Sequence, residues 1–213
     1  MAEQYFQHEG QCDWNRKRLN KLVSILGAGW FPNKRILEVG CGHGQIGMEL
    51  AERYGSDVTF TDGRSLHIDR IREKGFPAFV MDQDLPWTIG GQFDLIIHFG
   101  VLYHLDNWKQ DIRCALTYAP LVCLETEIWG TDYPHFEHKK YETDTYDQAV
   151  NRIGTVMSAQ CFEDVLTGLG ANFTRYDDED LDSGTMRYSW KGKQTPEFTT
   201  GQRRFWMIRK DIV

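Results

Sequence analysis

The chain has 213 residues, 41% hydrophobic and 26% charged, the proportions of a globular fold long enough to bury a core without disulfides or metals. Its formal charge of −7 argues against a broad nucleic-acid footprint, and no apolar run approaches the ~20 residues that span a bilayer. The five cysteines form no CxxC pair and read as reduced thiols; the polar start from Met1 to Trp14 is unlike a signal peptide, so a cytoplasmic protein with no membrane partner is expected.

Residues 13–28 carry Leu19, Leu22, Val23 and Leu26 on one face, as in a helix that Gly27 closes. Pro32 and Asn33 mark a loop. Arg35 to Val39 is a short apolar strand that runs into glycines. Ile46, Leu50 and Tyr54 then recur at i+4, and Gly55 ends that helix. Asp57 to Thr61 reads as a second strand, followed by a helix that Ser65 is placed to cap and Gly75 to close. Pro77 to Met81 is a third strand, Phe93 to Phe99 a strongly apolar fourth, 107–118 a helix, and Leu121 to Glu125 a fifth strand. Strands alternating with helices predict a parallel sheet covered on both faces.

The last third has a different texture. Residues 130–156 are polar and aromatic with no clear period. Ser158 is placed to cap a helix through Leu169, and Ala171 to Tyr176 and Arg203 to Arg209 read as two more strands. Between these lie about two dozen residues rich in Asp, Gly, Lys and Thr, long enough to be functional or disordered. The expectation is a single α/β domain over 1–213. It holds a Rossmann-like, seven-stranded, mostly parallel sheet with helices on both faces and an antiparallel last strand. Substrate-cap insertions are expected at about 130–156 and 177–202; they hold Tyr133, Tyr141, Tyr146, Tyr188 and Trp190, aromatics that suit either a pocket or a local satellite core.

The central feature is Ile36-Leu37-Glu38-Val39-Gly40-Cys41-Gly42-His43-Gly44. A strand ends, three glycines alternate, and a helix begins. Glycine accepts backbone angles other residues resist and lets a ligand approach the main chain. The carboxyl end of the first strand is where doubly wound folds bind nucleotide-like ligands. A dinucleotide fingerprint needs GxGxxG, but Gln45 occupies the third glycine's place, and no GxxxxGK[ST] loop is present. Asp62 closes the second strand, 20 residues beyond Gly42, where an acid can accept from both ribose hydroxyls. Asp82 closes the third strand. Each Asp alone would also serve as an ordinary loop cap; three such features at successive strand ends, in order, point to a cofactor.

GxGxG preceded by an acid resembles motif I of the class I S-adenosylmethionine-dependent methyltransferases. His98-Phe99-Gly100-Val101-Leu102-Tyr103-His104-Leu105 is similar to their motif IV, whose backbone lies beside the cofactor's methionine portion. The likeness covers roughly residues 13–128. It implies S-adenosylmethionine as cofactor, with Glu38, Gly40, Cys41, Gly42, Gly44, Asp62, Gly63, Asp82, Gln83, His98 and Phe99 as the cofactor-binding set. Within that superfamily, Asp13-Trp14-Asn15-Arg16, Gly100 to His104 and Leu124-Glu125-Thr126 resemble the tRNA wobble-uridine carboxymethyltransferases, which use carboxy-S-adenosylmethionine and carry a further N-terminal region.

Methyl transfer to a hydroxyl or protonated amine benefits from a base. His104 and Tyr103 are the catalytic candidates: His104 titrates near neutrality and lies just past the fourth strand, with a helix cap as its alternative role. Tyr103 lines a pocket or packs in the core, and His98 also reads as a packed strand residue. Glu125 and Glu127 leave the fifth strand as substrate ligands or rim charges. Arg16 or Arg18 is a candidate partner for the cofactor's carboxylate, or a bare helix surface pair. His135-Phe136-Glu137-His138 lacks a third ligand at convincing spacing, so no metal is expected. Arg203-Arg204 suits either an anionic substrate or a solvated sheet edge, and the Asp177–Asp182 acids a solvated turn. The reading is a methyltransferase acting on O or N of a small molecule or glycan. The alternatives are a tRNA-modifying enzyme, with nucleic acid the less favoured partner, and a non-catalytic partner subunit on the same scaffold.

Overall fold

The computed structural model describes residues 9–132, 134–143, 147–191 and 201–210. Helix α1 (Glu9–Leu26) leads into β1 (Arg35–Val39) and α2 (Gln45–Tyr54), then β2 (Asp57–Asp62), α3 (Ser65–Glu73), β3 (Ala78–Val80) and β4 (Leu95–Phe99). A 3-10 turn at Leu102–His104 precedes α4 (Trp108–Tyr118) and β5 (Leu121–Glu127). A separate hairpin follows, β6 (Glu137–Tyr141) with β7 (Ile153–Met157), then α5 (Ala159–Gly168), β8 (Asn172–Tyr176) and β9 (Arg203–Arg209).

The main sheet has seven strands in the order β3-β2-β1-β4-β5-β9-β8. The first five run parallel, and β9 is antiparallel to both β5 and β8. Neighbouring residues of a strand point to opposite faces. Leu37, Ile96, Val122 and Leu124 therefore pack under α4 and α5. Ile36, Leu95, Ile97 and Cys123 pack under α1, α2 and α3. This two-sided burial is the reason the central strands read as continuous apolar runs.

The expected α/β order holds, with four differences. Strand β5 runs two residues past Glu125, because Thr126 and Glu127 pair with Arg204 and Arg203. The segment that showed no period contains the β6–β7 hairpin. Ser65 is the first helical residue rather than a cap; the cap position is Arg64, without a side-chain cap bond, and the Asp62 carboxylate receives the Arg64 N–H instead, at 2.8 Å. Ser158 does cap α5, its hydroxyl accepting the Cys161 N–H at 3.2 Å. Finally, β9 is an interior strand, so edge solubility does not explain its arginine pair. Among the described residues, no helix is long and apolar enough to cross a membrane.

Candidate active site

A cavity of about 390 Å³ opens at the carboxyl ends of β1, β2 and β4. Its floor at one end is the glycine loop. Gly40, Cys41 and Gly42 line it. Gly40 has φ 55°, and a Cβ there would lie 2.2 Å from Val101 Cγ2, so both its backbone angle and the close approach of the motif IV loop require glycine. Gly44 stands behind the loop; it occupies the cap position of α2 with φ 67° and donates to Cys41 O at 2.8 Å.

Asp62 lies beside the loop with Gly63, both on the cavity wall. Its Oδ2 accepts the Gly42 N–H at 2.9 Å and its Oδ1 the Arg64 N–H at 2.8 Å. His67 Nδ1 lies 3.2 Å from the same Oδ1; a carboxylate offers about four lone-pair sites, so acceptor capacity remains. Glu38, buried, also lines the cavity and accepts the Gly47 N–H at 2.9 Å. Burial pushes its carboxyl up to about 8, with the Gly47 N–H and the Arg18 charge opposing the rise. Burial likewise pushes the Cys41 thiol well above its usual range. Asp82 uses Oδ1 to accept the Asp84 N–H at 3.0 Å. Gln83 lines the cavity and donates to Asp111 Oδ1 at 3.2 Å.

Phe99 also lines the cavity, but His98 does not. His98 is fully buried with Nε2 2.6 Å from Asp111 Oδ2, on the opposite strand face from Phe99. It belongs to a core polar network in which Asp111 also accepts from Trp87 at 3.1 Å, and it leaves the cofactor-lining set.

The other end of the cavity is polar and drawn from distant segments. His104 and Tyr103 sit on the 3-10 turn after β4, their rings 4.0 Å apart. His104 Nδ1 lies 2.6 Å from Glu142 Oε2, a residue just past β6 that the sequence did not single out. Burial pushes the Glu142 carboxyl up, but the His104 bond and charge, the Ala149 N–H and Lys140 outweigh it and bring it down to about 2. An ionised carboxylate only accepts, so the His104 Nδ1 donates, and in the neutral imidazole Nε2 is the acceptor nitrogen. Burial pushes the Tyr103 phenol up to about 12, against the pull of Arg203.

Arg203 is buried on the cavity wall. It donates to Glu125 Oε1 at 2.9 Å and to the Tyr103 hydroxyl at 3.2 Å. Arg18, from α1, reaches the other oxygen of Glu125 at 2.9 Å. Both guanidinium groups lie over the Trp14 ring, Arg18 at 3.7 Å and Arg203 at 4.5 Å from its centroid, within cation–π range. Lys140 lies 3.1 Å from Glu142 and 3.8 Å from Glu127. Arg16, by contrast, is exposed and pairs with Asp13. Arg204 points to the other side of β9 and grips both oxygens of Asp132 at 3.0 and 2.9 Å.

The two insertions do contribute to the cavity wall, through Lys140, Asp147, Gln148 and Val150 from one and Met186 from the other. Tyr133 and Tyr146 lie outside the described residues. Tyr141 is 91% exposed, Tyr188 is buried with its hydroxyl accepting from Trp14 at 2.6 Å, and Trp190 stacks on Arg204. Asp182 is a loop anchor, accepting from the Tyr188 N–H and the Ser189 hydroxyl. His135 pairs with Asp164 at 3.0 Å and Glu137 accepts from Trp108 at 2.9 Å, so that histidine segment does not converge. Among the described residues no group of three or more His, Cys, Asp or Glu is placed to hold a metal.

A family model described as a methyltransferase domain matches residues 6–175, and no curated protein sequence matches significantly. Solved structures with the same fold include the N-terminal domain of EvdMO1 crystallised in the presence of SAH and D-fucose, at 14% identity, TM-score 0.64, covering 91% of this chain and 82% of that one. The magnesium protoporphyrin IX methyltransferase ChlM from Synechocystis PCC 6803 with bound SAH shares 15% identity at TM-score 0.58, over 94% and 87% of the two chains. An S-adenosylmethionine-dependent methyltransferase from Mesorhizobium loti shares 14% at TM-score 0.62, over 91% and 98%. With the glycine loop, the acids at successive strand ends and the sheet order already in place, the family match completes the assignment: the chain belongs to the methyltransferase domain family and has the class I, Rossmann-like fold of S-adenosylmethionine-dependent methyltransferases.

Proposed function

We propose that the protein transfers a methyl group from S-adenosylmethionine to an oxygen or nitrogen of a small molecule or glycan, with a hydroxyl as the favoured acceptor. One observation carries the reading: His104, held by Glu142 behind it, opens on the same cavity as Gly40, Gly42 and Asp62. S-adenosylmethionine, when bound, supplies an electrophilic methyl group on a sulfonium. The residues present suit it. Asp62 on the cavity wall suits ribose hydroxyls, Gly40 and Gly42 bring main chain without side chains to the cavity, and Asp82 and Gln83 stand where the resemblance places the adenine. Arg18 and Trp14 close the wall beside Gly100, as suits the amino-acid portion. Structures of the same fold carry SAH, and one was obtained with D-fucose.

The chain's own chemistry is positioning and proton handling. Nε2 of His104 accepts the proton of the acceptor group as its oxygen becomes nucleophilic, and the Glu142 carboxylate stabilises the imidazolium that results. Tyr103, Arg203 and Lys140 present donors, and Glu127 an acceptor, around that spot. Each cation there already faces a carboxylate: Arg18 and Arg203 share Glu125, and Lys140 lies between Glu127 and Glu142. That balance supports a neutral, hydroxylated acceptor over a phosphate-bearing one, and so weighs against tRNA. A catalytically silent partner subunit would have no use for the His104–Glu142 pair.

Calorimetry with S-adenosylhomocysteine tests the cofactor end. The wild type should bind, and Asp62→Ala should weaken binding roughly 10- to 100-fold, the loss of one or two charge-assisted hydrogen bonds. A panel of hydroxylated acceptors, followed by S-adenosylhomocysteine release, tests the other end. His104→Ala should lower turnover roughly 10²- to 10⁴-fold with cofactor affinity nearly unchanged. Full turnover in that variant would remove His104 as the base.

A further inference from the structure

The acid that meets His104 is not part of the Rossmann core. Glu142 lies in the segment just past β6, and its Oε2 receives two donors: His104 Nδ1 at 2.6 Å and the Ala149 N–H at 2.7 Å. Ala149 belongs to a strap, residues 147–150, that crosses from the hairpin to the loop after β2. There the Gln148 carbonyl accepts from Arg64 Nη2 at 3.0 Å. A Cβ on Gly63 would lie 2.6 Å from Val150 Cγ2, so the strap rests directly on the main chain beside Asp62. Asp147, Gln148 and Val150 all face the cavity.

One carboxylate oxygen thus joins the two ends of the site. From Asp62 the path runs through the Arg64 N–H and guanidinium to Gln148, Ala149, Glu142 and His104, every link a hydrogen bond or a peptide neighbour. The Tyr103 ring packs on His104; Lys140 of β6 and Arg203 of β9 lie over that Tyr103 ring, and Glu127 of β5 lines the same cavity. Among the described residues, Glu142 is the one that orients the ring through a hydrogen bond.

We propose that Glu142 is a positioning residue that couples the cover of the cofactor end to the orientation of the base: the strap seated on Gly63 and Arg64 fixes Ala149 against Glu142, and Glu142 holds His104 with its proton on Nδ1 and Nε2 toward the acceptor. The coupling half of this rests on the cofactor reading given above. A ligand that secures the strap secures the base, and by reciprocity an oriented base favours the ligand by the same factor.

Long-range proton–nitrogen NMR of the ¹⁵N-labelled full chain reads this without an acceptor. The His104 signals are assigned by their loss in His104→Ala. At a pH above imidazole titration, the wild type should show the Nδ1–H tautomer with a downfield, protected ring proton. Saturating S-adenosylhomocysteine should slow exchange of that proton at least threefold. Glu142→Ala should move the tautomer toward Nε2–H, Glu142→Asp should retain part of the Nδ1–H population, and Arg64→Ala should keep the tautomer while losing the response to ligand. An unchanged tautomer in a folded Glu142→Ala protein overturns the positioning role. A wild type that binds S-adenosylhomocysteine with no change in His104 exchange overturns the coupling. Failure of the wild type to bind it overturns the cofactor reading instead, and the ligand-free tautomers then decide the role of Glu142 on their own.

Discussion

At the scale of single residues, the site is defined by where charge is kept and where it is suppressed. Glu38 and Glu142 are both carboxylates within this fold, yet their surroundings drive them apart. Glu38 has one backbone donor and little else, so burial holds it up to about 8. Glu142 gathers His104, Ala149 and Lys140 and falls to about 2. The second shift is a stability statement. A carboxyl depressed from 4.5 to about 2 contributes on the order of 3 kcal/mol above its unfolded value, and this is lost as pH falls from about 4.5 toward 2. Chemical denaturation at pH 6 and pH 3 should therefore show the wild type losing more stability than Glu142→Gln, which has no charge to lose. Equal losses would remove the ion pair as the cause.

The glycine loop and the two acids proposed to hold the cofactor stood out because they sit where strands stop. Asp62 and Asp82 follow apolar runs, and the glycines have a backbone reason to be there. Glu142 and Arg203 carry no such mark. Glu142 lies in a polar stretch without a period, and Arg203 looks like one member of a surface pair until β9 is known to lie between β5 and β8. His98 was misplaced for a related reason: motif position says nothing of which face a strand residue takes, and the one-residue alternation sends it toward Asp111.

At the scale of elements, the alternation of strands and helices followed from continuous apolar runs flanked by helical periods. Hairpin strand β6 escaped because both of its faces are polar. Glu137 and Lys139 meet Lys109 and Asp106, while Lys140 turns to the cavity. A strand with no apolar face leaves no period-two signal. Strand β9 shows the opposite case, an apolar run opened by two arginines that part to opposite sides. Arg204 is 1% exposed and holds Asp132 through both oxygens, with further bonds to the Tyr188 and Trp190 carbonyls. Removing it leaves the buried Asp132 carboxylate with the more distant Arg175, at 3.7 Å. Arg204→Ala should cost about 3–5 kcal/mol in urea denaturation, far above the 0–1 kcal/mol expected for an exposed pair such as Arg53–Glu49. A cost below ~1 kcal/mol would show that Asp132 finds water or another partner.

At the scale of the molecule, two apolar layers cover the sheet and leave its carboxyl edge open, where the topology reverses between β1 and β4. That edge is where doubly wound folds hold ligands. A ligand seated there contacts β1, β2 and β4 loops, the strap and α1, so binding should stabilise the chain as a whole. At 100 times its dissociation constant, S-adenosylhomocysteine should add about 2.7 kcal/mol, a rise in Tm of roughly 5–10 °C for a chain of this size. A melt unmoved by ligand at that saturation would contradict a site shared by so many elements.

The contact of Trp14 with Arg18 and Arg203 joins α1 to β9. Other bonds follow the same seam: Asp13 to Ser183, Lys17 to the Asp182 carbonyl, Lys21 to Asp178. During synthesis the glycine loop, Asp62 and Asp82 emerge early and within one another's reach. The second cation over Trp14 is delivered only when residue 203 leaves the ribosome. Synthesis therefore makes the residues proposed to hold the methyl donor before it makes Arg203, which completes the wall proposed to face the methyl acceptor.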